Sequence, residues 1–255
     1  MDYPESFERL IGNSGYDYIG NGNPNAKILI IAKEPAIDME SGKGMYGHDI
    51  LGNRGLWIKH DDAVEFPYRG QKCHIYIGPD NKTGKVRGEG GTSRTWLAYQ
   101  SLFDAIVGNC KKKACDEIDF HKYVFTTDLS SEVAKNSGMT FEERTRQSIK
   151  RREKMFKEEF FQKFPIVIVA AGHYPKRYDI DLEELFGVEW MGKTLPVGKK
   201  WMNLHYNKQR TKLLIHTNQL SRYTNELIAK IALCVKDFIT DDLHLPVGCL
   251  KEYAE

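Results

Sequence analysis

LLIHTNQLSRYTNELI, residues 213–228, holds a three-residue apolar run, an imidazole, a polar turn and the start of a helical pattern. Leu213, Leu214 and Ile215 without a polar neighbour read as a strand buried on both faces, and Tyr223 to Ile239 continues as an amphipathic helix. A buried strand that ends in His216 and delivers Thr217, Asn218 and Gln219 to its carboxyl end belongs to an α/β protein. The rest of the chain has three more such runs. AKILIIA (Ala26 to Ala32) stops at Pro35, which cannot continue a ladder. KYVFTTDLSS carries a strand from Tyr123 to Thr127, and FPIVIVAAGH ends at Gly172 and His173.

Between these runs lie helical patterns. Glu5 to Ile11 forms a short one. Ser93 to Ile106 sets Trp96, Tyr99, Leu102, Phe103 and Ile106 at helical spacing, and Phe141 to Phe161 is long and charged. Val188 to Tyr206 reads as a β-hairpin, and Ile37 to Gly91 as a long Gly-rich, charged loop containing the strand-like CHIYIG. The alternation predicts one domain over residues 1–255: a three-layer α/β/α sandwich with a four-stranded, mainly parallel central sheet, plus a small hairpin.

With 255 residues and 41% hydrophobic content the chain can bury a sizeable core. No apolar run approaches the roughly 20 residues of a membrane span, and MDYPESFERL lacks the layout of a signal peptide. The five cysteines (73, 110, 115, 234 and 249) are scattered and complete no zinc site. A cytoplasmic protein with reduced thiols, no metal and no cofactor is expected. The net charge of +2 is uninformative, but its distribution is not: Arg144 to Lys157 holds seven basic residues and one acidic, and Met191 to Lys212 six basic and none acidic. The second run, with Trp201 and Tyr206 inside it, suits a polyanion, whereas the first suits a solvated helix face.

In open parallel sheets, sites form outside the carboxyl ends of the strands. Glu34 follows the first run, Asp128 and Ser130 the second, His173 the third and His216 the fourth. A carboxylate and an imidazole on one rim can orient water, stabilise positive charge and donate to an anion.

HTNQLSRY (residues 216–223) resembles the HPSPLSVY motif of uracil-DNA glycosylases, with His216, Leu220, Ser221 and Tyr223 in register. IIAKEPA resembles the family's first motif (GQDPY, GINPG or GEAPG), with Glu34-Pro35 where the family has Asp-Pro or Asn-Pro. YVFTTDLSS resembles its middle strand LLLNTVLT, and FPIVIVAAGH a further core strand. The resemblance spans about Ala26 to Ile239. It implies a monofunctional DNA glycosylase that flips a base into a strand-end pocket, with DNA as partner and no obligatory protein partner. Glu34 would position water and stabilise the sugar cation, and His216 would donate to the leaving base. Leu220 would wedge into the gap, while Ser221, Arg210 and Lys212 would contact phosphates. Thr126 and Asn218 would read the base, and Trp57, in a stretch resembling the GNRFW of mismatch-specific members, would stack on it. Trp96 competes for that last role. The chain departs from the family where Thr217-Asn218-Gln219 replaces Pro-Ser-Pro and where Thr126 replaces the uracil-reading Asn. A nucleic-acid-binding protein without chemistry is the alternative. A hydrolase binding metal through Glu34, Asp128, His173 and His216 is a third reading.

Overall fold

A computed structural model describes residues 3–37, 46–59, 73–74, 94–108, 117–133 and 141–250. Most of the loop from 37 to 91, including most of CHIYIG, lies outside them.

The strands are β1 (Asn21–Gly22), β2 (Ile28–Ala32), β3 (Cys73–His74), β4 (Glu117–Ile118), β5 (Val124–Asp128), β6 (Ile166–Val169), β7 (Glu189–Val197), β8 (Lys200–Tyr206) and β9 (Leu213–Thr217). β3 and β4 form a separate antiparallel pair, and the other seven make one sheet in the order β1-β5-β2-β6-β9-β8-β7. This corrects the expected four-stranded, mainly parallel sheet. The sheet is mixed: β5, β2, β6 and β9 pair in parallel, but β1 on β5, β8 on β9 and β7 on β8 are all antiparallel. The hairpin is no separate appendage. Met202 pairs with Thr217 and Tyr206 with Leu213, so β8 extends the sheet along the whole of β9.

The helices are α1 (Glu5–Gly12), α2 (Asn53–Lys59), α3 (Arg94–Val107), α4 (Glu142–Phe156), α5 (Glu159–Gln162), α6 (Tyr174–Arg177), α7 (Leu182–Phe186) and α8 (Asn225–Asp237). They cover both faces of the sheet. Strand residues alternate between two apolar clusters: Ile28 and Ile30 join α3 and α8 on one face, while Leu29 and Ile31 join the Phe-rich α1, α4 and α5 on the other. Local chemistry sets the helix ends. Thr224 accepts from Leu227 N to cap α8, and Asp181 accepts from the Glu183 and Glu184 amides at the start of α7. Gly20 sits at φ 142°, where a Cβ would come within 2.4 Å of the Thr126 carbonyl, so only glycine lets this segment lie against β5. No helix among the described residues is long and apolar enough to cross a membrane.

Candidate functional site

The carboxyl ends of β5, β2, β6 and β9 lie side by side, roughly 4.8 Å apart. Asp128 stands at the end of β5, opposite Ala32 of β2. Glu34 follows β2, in a segment held against β5 by bonds from Leu129 N to Ala32 O and from Ser130 N to Lys33 O. His173 follows β6. His216 is the penultimate residue of β9 and pairs with Val169. β6 separates Glu34 from His216, a gap of two strand spacings, or roughly 10 Å.

The carboxylate half of this rim is built from buried groups. The Glu34 Oε2 atom and the Tyr174 hydroxyl are both buried and make no well-formed hydrogen bond, although the Tyr174 hydroxyl interacts with the Glu34 carboxylate and the Ser130 side chain. Burial first, and then the Glu34 charge, raise the Tyr174 phenol. The Asp128 carboxyl is lifted from 3.8 to about 6. Desolvation is the main cause and the Glu34 charge adds to it, while the Tyr18 hydrogen bond and the Arg152 charge oppose it. Tyr18 Oη donates to Asp128 Oδ2 at 2.8 Å. Arg152, from the basic run in α4, is only 4% exposed. Its guanidinium donates to the carbonyls of Asp128 and Tyr18, both at 2.6 Å, and to the Thr127 hydroxyl. Burial lowers its pKa to about 10, which leaves it cationic at neutral pH. Beside it, Tyr16, Ser131, Glu132 and Arg151 help line a cleft of about 200 Å³.

The imidazole half is different. Burial pulls His216 down to about 4, and the nearby rings of His205 and His173 push the same way. The ring is therefore neutral at pH 7. Its Nε2 lies 2.7 Å from the Gly172 carbonyl, which can only accept, so the single ring proton sits on Nε2 and points at that carbonyl. Trp201 meets His216 edge-on at 4.9 Å and stacks obliquely with His173 at 5.3 Å.

Several residues assigned to a base or to DNA are committed to the scaffold. Trp57 has 0% exposure. It is packed edge-on against Phe7 at 4.9 Å and donates to Gly20 O at 2.9 Å, so it offers no stacking face. Trp96 packs edge-on against His121 at 4.7 Å. Thr126 donates to Asn21 O at 3.3 Å, and Asn218 Oδ1 accepts from Trp201 N at 2.8 Å, tying β9 to the hairpin. Leu220 is 1% exposed in the core between α3 and α8, so it does not protrude as a wedge. Ser221 is part-exposed in the following turn. Arg210 and Lys212 precede β9 and therefore sit at the opposite end of the sheet from His216. Arg210 pairs with Asp242 at 3.1 Å, and Lys212 Nζ donates to Gln162 O at 2.8 Å. The rim instead receives Lys199, Lys200 and Trp201 from the hairpin, because β8 returns antiparallel and its turn overshoots Thr217.

Tyr174, Tyr18 and Arg152 carried no sequence signal. Arg152 is one of seven basic residues in its run, and only the helix phase that buries Ile149, Arg152 and Phe156 together singles it out. The metal-hydrolase arrangement is not formed: among the described residues, no group of three or more His, Cys, Asp or Glu is placed to hold a metal ion.

Models of known protein families were compared with the chain and none matches it. No curated protein matches it either.

Proposed function

We propose that this protein is a cytoplasmic, glycosylase-like hydrolase that acts on nucleic acid, with Glu34 as its catalytic carboxylate. The observation that carries this reading is the buried Glu34 Oε2 at the strand rim, which makes no well-formed hydrogen bond and has the Tyr174 hydroxyl beside its carboxylate. A buried polar atom without a well-formed bond is costly, and a catalytic role is one reason for a fold to keep one. Glu34 takes a proton from water as the oxygen attacks the anomeric carbon. The bond to the base nitrogen breaks, and its electron pair leaves with the base. The same carboxylate offsets the positive charge that develops on the sugar. A flipped base is the substrate form that could bring its glycosidic bond to a carboxylate on this rim.

The neutral imidazole of His216 supports a role at the leaving base, but its proton faces Gly172 O in this structure. Donation to a base requires the ring to exchange that carbonyl for the substrate. This commitment favours one second reading: a nucleic-acid-binding protein without chemistry.

One assay separates the two. Labelled oligonucleotides, each bearing one damaged, mismatched or modified base, are incubated with the protein, and abasic sites are cut with alkali. The proposal expects cleavage of at least one substrate, reduced ~10²–10³-fold or more in Glu34→Gln. Cleavage equal in wild type and Glu34→Gln would reject Glu34 as the catalyst. Salt-sensitive binding without cleavage would support the second reading.

A further inference from the structure

The run from Met191 to Lys212, with six basic residues and no acidic one, is not absorbed by the Glu34 chemistry. Its fold sends five of the six to two ends, while Lys193 lies within β7. Lys208, Arg210 and Lys212 lie at the amino end of β9, where Glu189, Asp242 and the Gln162 carbonyl engage them. Lys199 and Lys200 lie at the hairpin tip, on the rim that carries His216. Gly198 turns the tip at φ 56°, and a Cβ there would come within 2.7 Å of Glu226 Oε2, the acidic group that faces the tip from α8. Beside the tip, the part-exposed Trp201 ring and the exposed His173 ring form a tilted step 5.3 Å apart. Arg222, in the turn that follows β9, is exposed on the same rim.

We infer that this tip is a docking surface for single-stranded nucleic acid, with a base stacked on the His173–Trp201 step and phosphates on Lys199, Lys200 and Arg222. Cations beside an exposed aromatic step match what a single strand presents: regularly spaced phosphates and free base faces. A duplex hides its base faces, so the aromatic step selects the single strand. The assignment rests on the nucleic-acid reading of the rim for its purpose, but binding is measured without chemistry.

The test is fluorescence anisotropy of a labelled oligothymidylate with full-length Glu34→Gln protein, over a range of salt. Lys199→Gln/Lys200→Gln should weaken binding and flatten the plot of log K against log salt by about 0.7 per lost phosphate contact. His173→Ala, an exposed change that leaves the fold intact, should weaken binding severalfold at every salt concentration. Arg210→Gln, at the other end of β9, should bind as Glu34→Gln does. The inference is overturned if the oligothymidylate does not bind or if the tip variants match their parent. Equal loss in Arg210→Gln, or polyphosphate competing as well as unlabelled oligothymidylate, also overturns it. A protein that cleaves no substrate yet shows the tip-dependent binding would sink the glycosylase reading alone. Cleavage with tip variants that bind normally would sink the docking surface alone.

Discussion

Asp128 is a residue that the fold holds at a cost, and Asp128→Asn measures that cost. Its carboxyl moves from 3.8 to about 6 on folding, chiefly through desolvation. The folded state therefore prefers the protonated form. The stability that this preference contributes is fully present below the unfolded value of 3.8 and is lost as pH rises through about 6. A shift of about two units at 1.36 kcal/mol each makes ionised Asp128 destabilising by about 3 kcal/mol above pH 7. Asparagine keeps an oxygen for Tyr18 and leaves the three Arg152 bonds in place, since none of them uses the Asp128 carboxyl. The attraction between ionised Asp128 and Arg152 is already contained in the carboxyl value of about 6, so it needs no separate allowance. Urea unfolding of wild type and variant across this range should thus give a difference that moves in favour of Asp128→Asn by about 3 kcal/mol from acid to neutral pH. Carboxylates remote from Asp128 titrate in both proteins and cancel. A difference flat with pH would refute the reasoning. So would one that moves in favour of wild type as pH rises, because it would mean that Arg152 and Tyr18 outweigh desolvation.

His216 should titrate with an apparent pKa of about 4 in a histidine NMR series and stay neutral at pH 7 with its proton on Nε2. Its lowered pKa stabilises the fold above the ordinary value of 6.5, a contribution lost as pH falls through about 4. A value near 6.5 would mean that the ring is solvated. Trp57→Ala should cost about 3–5 kcal/mol in urea unfolding, as expected of a large side chain deleted from a packed core. A loss below about 1 kcal/mol would place Trp57 at the surface, where it could stack on a base.

The sequence made the interior of this fold easier to read than its edges. ILIIA, IVIV and LLI are apolar on both sides, so they announce strands covered on both faces. β1 is two residues long and carries no periodicity, so its antiparallel pairing with β5 leaves no trace. The hairpin was legible as a hairpin, but its attachment depends on the register of Met202 with Thr217, which no local pattern encodes. The site divides in the same way. Glu34, Asp128 and His216 follow apolar runs, and position alone brings them to one rim. Trp57 and Leu220 stood out because a motif placed them, yet both are apolar and the core takes them. Arg210 and Lys212 share a basic run with Lys199 and Lys200, and only the direction of β8 and β9 separates the two pairs.

The central claim is that Glu34 performs chemistry at this rim. The most direct test is the release of free base from a nucleic-acid substrate by wild type and by Glu34→Gln, with equal folding verified by circular dichroism. The account predicts release by wild type and a loss of ~10²–10³-fold or more in the variant. Base release undiminished in a folded Glu34→Gln protein would contradict it.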